Sequence, residues 1–95
     1  MTKEQIEFLK ELESIQYYCV NVALCKKEKF SNIEEFLNDV TSEVIYRVME
    51  MLDGYGEHLP KCNIVNTITG EIINDGIQLH DACVEFLENN HINKN

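Results

Sequence analysis

Cys62-Asn63-Ile64-Val65-Asn66-Thr67-Ile68-Thr69-Gly70-Glu71-Ile72-Ile73-Asn74 is the stretch whose reading decides the fold class. Before it, apolar residues recur at helical spacing; here the period drops to two. Residues 62–67 and 71–74 each read as a short strand. Thr67-Ile68-Thr69-Gly70 between them suits a type I turn, with Gly70 in the left-handed position of a bulge. A two-stranded hairpin is marginal alone in water, so it must lie on helices or pair with another copy of itself. The expectation is an α+β, mostly helical chain. It has two long N-terminal helices (the second open to division), a β-hairpin and a short C-terminal helix.

Working upstream, Glu57-His58-Leu59-Pro60 is a connector and Gly54-Tyr55-Gly56 a turn. Gly54 is placed to end a helix in the left-handed conformation. Ile33, Leu37, Val40, Val44, Val48 and Met51 hold one helical face before it. Ser31 with Glu34 forms a capping-box signature, and Thr41-Ser42 is where the helix would divide. The first helix opens on Thr2 with Gln5, a second capping box, and buries Phe8, Leu12, Ile15, Cys19 and Val22. Tyr17 to Val22, rich in aromatic and β-branched residues, is its weak point, and Lys26, Lys27 and Lys29 suit its C-terminal end. Downstream, Asn74-Asp75-Gly76 turns the chain into a last helix carrying Leu79, Ala82, Cys83, Phe86 and Leu87, which ends near Asn89–Asn90. Residues 1–90 make one small acidic domain, with 91–95 a frayed tail.

The net charge is -9 over 95 residues, and it is unevenly placed. Residues 1–29 balance their acids with lysines. Residues 30–60 set Glu34, Glu35, Asp39, Glu43, Glu50, Asp53 and Glu57 against Arg47 alone. Such a field repels nucleic acid and anionic membranes and attracts basic proteins. The Lys26 cluster, flanked by Glu28, is too small for a nucleic-acid site. No stretch approaches the ~18 apolar residues of a membrane span. No basic-then-apolar signal pattern is present, so a cytoplasmic protein is expected. Cys19, Cys25, Cys62 and Cys83 match no zinc spacing and fall at or near apolar positions, which fits reduced, packing thiols.

The most suggestive polar cluster is Asp53, His58, His80 and Asp81. Asp53 and His58 flank the turn after the long helix, and His80 and Asp81 open the last one. If the fold brings these ends together, they could bind a divalent metal or hold a water for general-base work. The simpler reading gives Asp53 to turn and helix-end backbone groups, Asp81 to a helix dipole, and His58 to solvent. No HExxH, nucleophile elbow or phosphate-cradling glycine loop is present. No catalytic residue is assigned, and no cofactor is expected. Tyr17, Tyr18, Tyr46 and Tyr55 fit either a small core or an interface.

Met51-Leu52-Asp53-Gly54, the 62–74 segment, Asn74-Asp75-Gly76 and Leu79-His80-Asp81 together resemble a loose group of small uncharacterised bacterial proteins. These share a helix ending in Leu-Asp-Gly, a hairpin, then a polar turn and Leu-His-Asp. The resemblance covers under half of the chain and implies a fold but no activity. In size and acidity the chain is also similar to immunity proteins that neutralise bacterial toxins and to small phage inhibitors.

Two functional readings follow. In the first, a non-enzymatic binding or accessory protein docks on a basic protein partner through Glu34, Glu35, Asp39 and Glu43, with electrostatic steering. A homodimer is compatible with so small a core. In the second, a small metal-dependent or acid–base enzyme uses Asp53, His58, His80 and Asp81. Binding is favoured, because a substrate pocket would compete with an already small core.

Overall fold

Two side-chain caps fix where the helices begin. Thr2 Oγ1 accepts from the Gln5 N–H at 3.1 Å, while Gln5 Oε1 accepts from the Thr2 N–H at 2.7 Å. This reciprocal box starts α1 (Lys3–Lys26) as expected. The helix runs unbroken through Tyr17–Val22, where Asn21 Nδ2 donates to the Tyr17 carbonyl at 2.9 Å. It ends in a single 3₁₀ turn, Lys27–Lys29. The second cap is Asn32 rather than Ser31. Asn32 Oδ1 accepts from the Glu35 N–H at 2.8 Å, and Ser31 Oγ instead donates to the Glu35 carboxylate at 3.3 Å. The computed structural model describes the backbone of residues 1–93 and the side chains of residues 1–87.

The second helix, α2 (Ile33–Glu50), is undivided. Thr41 Oγ1 donates back to the Leu37 carbonyl at 2.8 Å, so its hydroxyl is satisfied inside the helix and breaks nothing. A wide π-type turn, Met51–Tyr55, follows without interruption. Gly54, at φ 97°, kinks the chain inside it in the left-handed conformation expected of that glycine. The last helix is α3 (Leu79–Asn93), extending past the expected end at Asn89–Asn90. The expected frayed tail, 91–95, lies outside the residues whose side chains are described.

The expected β-hairpin is absent, and with it the α+β class. Among the described residues there is no strand, and the chain is helical. Residues 62–74 form a loop closed by one isolated antiparallel bridge, Val65 to Ile72. The physical reason lies in side chains that compete for the backbone groups. Asn74 Oδ1 accepts from the Ile64 N–H at 2.8 Å, and its Nδ2 donates to the Cys62 carbonyl at 2.9 Å. Asn66 Oδ1 takes the N–H groups of Ile68 and Thr69. The bridge keeps its two backbone bonds, from the Asn66 N–H to the Glu71 carbonyl and from the Ile73 N–H to the Ile64 carbonyl, both at 2.8 Å. Beyond them Asn74 Oδ1 takes the Ile64 N–H on one side and Thr69 Oγ1 that of Glu71 on the other, in place of further ladder bonds. Val65, Ile68, Ile72 and Ile73 are all exposed, so no buried face holds a strand register.

Helix α2 is central, packing against α1 on one side and α3 on the other. The result is an open arrangement rather than a closed three-helix bundle. Among the described residues, buried apolar side chains are few: Cys19, Met51 and Leu59. The loop is tied to the end of α2 by the Cys62 N–H, which donates to the Leu52 carbonyl at 2.8 Å. Among the described residues, no helix is long and apolar enough to cross a membrane.

Candidate functional site

The π-type turn aims the Asp53 side chain at the start of α3. Its Oδ1 accepts from the Leu79 N–H and its Oδ2 from the His80 N–H, both at 2.9 Å. Oδ2 also pairs with His80 Nδ1 at 2.5 Å. Asp53 therefore caps α3 from outside it, across 26 residues of chain. An anion at a helix N-terminus meets unsatisfied N–H groups and the positive end of the dipole.

The pair is buried, with 2% of the Asp53 side chain and 13% of the His80 side chain exposed. The His80 ring sits edge-on to Tyr46 and Tyr55, with centroids 5.8 and 5.3 Å away. Tyr55 is itself held by Gln78, whose Nε2 donates to its hydroxyl at 3.1 Å. The bond to Asp53 holds the His80 imidazole charged to higher pH than usual, against the cost of burial, with help from Asp81. Burial works to raise the Asp53 pKa, but the two backbone N–H groups and the imidazole outweigh it, and the carboxyl is lowered.

Of the four residues in the expected cluster, Asp53 and His80 meet. Asp81 is exposed and lies 3.5 Å from the outer nitrogen of His80. His58 is turned to solvent beside Glu57, and its backbone N–H donates to Glu11 instead. Among the described residues, no three His, Cys, Asp or Glu side chains are arranged to hold a metal ion. The Cys83 thiol donates to the His80 carbonyl at 3.5 Å. An oriented imidazole is present, then, but both oxygens of its carboxylate partner hold backbone.

A second carboxylate does similar work. Glu11, in the middle of α1, is only 4% exposed. Its Oε1 accepts from the N–H groups of Glu57 and His58, at 2.5 and 3.1 Å, and its Oε2 from that of Leu59 at 3.2 Å. The connector is gathered around this one side chain. The sequence reading gives Glu11 no role beyond the charge balance of residues 1–29. The signal was there: Glu11 lies three residues after Phe8 and four before Ile15, on the apolar face itself.

The four acids expected to form a docking row are divided. Glu34 and Glu35 are exposed in the first turn of α2. Asp39 pairs with Lys26 of α1 at 2.6 Å. Glu43 binds Arg47 Nε at 2.7 Å, and Arg47 reaches Glu50 at 2.9 Å. The guanidinium also lies 5.0 Å from the Tyr18 ring and 5.5 Å from that of Tyr46. Burial works against its charge; the bonds to Glu43 and Glu50 outweigh this and raise its pKa. Asp39 and Glu43 thus serve to join α1 to α2 and to fix Arg47.

No protein-family model matches the chain, and neither does any curated protein or solved structure.

Proposed function

We propose that this chain is a cytoplasmic, non-catalytic binding protein, of the immunity or inhibitor kind, that docks on a basic protein partner. The observation that carries this reading is the use made of its buried carboxylates. Asp53 and Glu11 spend their oxygens on backbone N–H groups, so neither is poised to move a proton for a substrate. Among the described residues, the acids left exposed beyond α1 are Glu28, Glu34, Glu35, Glu57, Glu71, Asp75, Asp81 and Glu85, against Lys27, Lys29 and Lys61. Surface carboxylates in such excess steer a basic protein inward and turn nucleic acid and anionic lipid away. The contact is centred on Glu34 and Glu35, because Asp39 and Glu43 already have cationic partners.

The test is retention of basic host proteins on immobilised protein at low and high salt, repeated with the Glu34→Lys/Glu35→Lys variant. A partner held at about 50 mM salt, released at about 500 mM and lost by the variant supports the reading. Retention of no basic protein at low salt, or retention indifferent to both changes, overturns it.

A further inference from the structure

Helices α1 and α2 leave an open apolar groove between them, about 640 Å³ in volume. Leu9, Leu12 and Val20 of α1 line one wall, and Val40, Val44 and Val48 of α2 the other. Leu9 is 48% exposed, Val20 51% and Val44 36%. Leu24 and Leu37 continue the same apolar exposure along the two helices. An amphipathic helix is stable in water when its apolar stripe is covered, and here α3 covers the far side of α2 only.

The chain's total surface also exceeds what its mass requires. The chain exposes 7234 Å². A compact monomer of 11.1 kDa exposes about 5,700 Å². The excess, taken over the whole surface, is roughly 1,500 Å², as large as the area that one subunit of an obligate homodimer buries. The radius of gyration points the same way, at 15.3 Å against about 12.4 Å for a compact domain of this length.

Charge narrows the occupant further. Two copies each at -9 can meet only through a face that is poor in charge. Among the described residues lining the groove, Glu13 is the one that carries charge. The exposed acids of α2 and of the loop do not line it.

We propose that a second copy of this chain seats in the α1–α2 groove, and that the core is completed across the resulting two-fold. The inference is independent of the acidic docking surface, since the two faces differ in chemistry. It also predicts the opposite salt response: screening relieves like-charge repulsion, so the dimer holds or tightens as salt rises.

Sedimentation velocity on the full chain at tens of micromolar tests it. The expected species has twice the 11.1 kDa chain mass and does not dissociate between about 50 and 500 mM salt. Val20→Glu and Val44→Glu, at positions half-exposed in a single copy, should weaken the dimer by about 100-fold or more while helical circular dichroism persists. Should a variant fail to fold, isotope-filtered NOE spectra of mixed labelled and unlabelled wild-type protein decide the matter. Contacts between copies at the Val20 and Val44 methyls support the proposal. A single-chain mass at every concentration, a dimer unmoved by both variants, or a dimer without those contacts overturns it.

Discussion

A methyl group on Gly56 would fall 2.5 Å from Glu11 Oε1, closer than the two atoms can approach. Gly56 has an ordinary extended backbone, φ -77° and ψ -173°, so the glycine serves the carboxylate rather than the chain's geometry. Nothing larger than hydrogen fits beside Glu11 while it gathers the connector.

Gly56→Ala should therefore cost about 2–3 kcal/mol, because the carboxylate must leave N–H groups it now satisfies. Gly70→Ala is the control. Its φ of 79° disfavours a side chain, but nothing lies within 4 Å, so the loss should be about 1 kcal/mol. Urea denaturation with unchanged slope measures both, and the order of the two is the informative part.

Glu11→Ala should destabilise more than a surface helix acid can, by about 2–4 kcal/mol. Three N–H groups lose their acceptor at once, and that of Leu59 is buried. Lys10→Ala, on an exposed position of the same helix, should stay within about 0.5 kcal/mol.

Asn74→Ala should open the 62–74 loop at a cost of about 2–3 kcal/mol, since the buried amide both accepts from Ile64 and donates to Cys62. Hydrogen exchange at the Ile64 amide reports it directly. Asn74→Asp keeps the acceptor but loses the donor, so it should protect Ile64 while still weakening the loop.

The Asp53–His80 pair gives stability a pH window. His80 has its pKa raised on folding, so its contribution is complete below the unfolded value of about 6.5 and fades as pH rises through the folded value. Asp53 has its pKa lowered, so its contribution is complete above about 3.9 and fades as pH falls through the folded value. Attachment of α3 should be firmest between about pH 4 and 6.5. Thermal unfolding across pH, with the His80 ring followed by NMR, measures it. The decline on the alkaline side should vanish in His80→Gln.

Helices α1 and α2 were legible because caps and periodicity agreed: Thr2 with Gln5 at one start, a five-turn apolar face in α2, and Gly54 at its end. The 62–74 loop was misread for a physical reason. Alternation and a turn signal predict strands only if backbone pairing extends along them, and here it stops after two bonds, where Asn74 and Thr69 side chains take the next N–H groups. Asn74 could not be told from a turn former in a linear reading, because its partners lie 10 and 12 residues away. The Asp53–His80 encounter could be framed from sequence but not decided, since it depends on how sharply the π-type turn redirects the chain. Asp39 and Glu43 were read as solvated because their partners, Lys26 and Arg47, are set by the α1–α2 packing and by helix spacing that opposing charges exploit.

The account rests on Asp53 holding α3 in place through His80 rather than tuning it for chemistry. A double-mutant cycle on Asp53→Asn and His80→Gln, read by urea denaturation, tests this most directly. A coupling energy of about 1–3 kcal/mol, with each single variant destabilised and α3 amides exchanging faster, is the predicted result. Two variants as stable as the wild type with no coupling between them would contradict it.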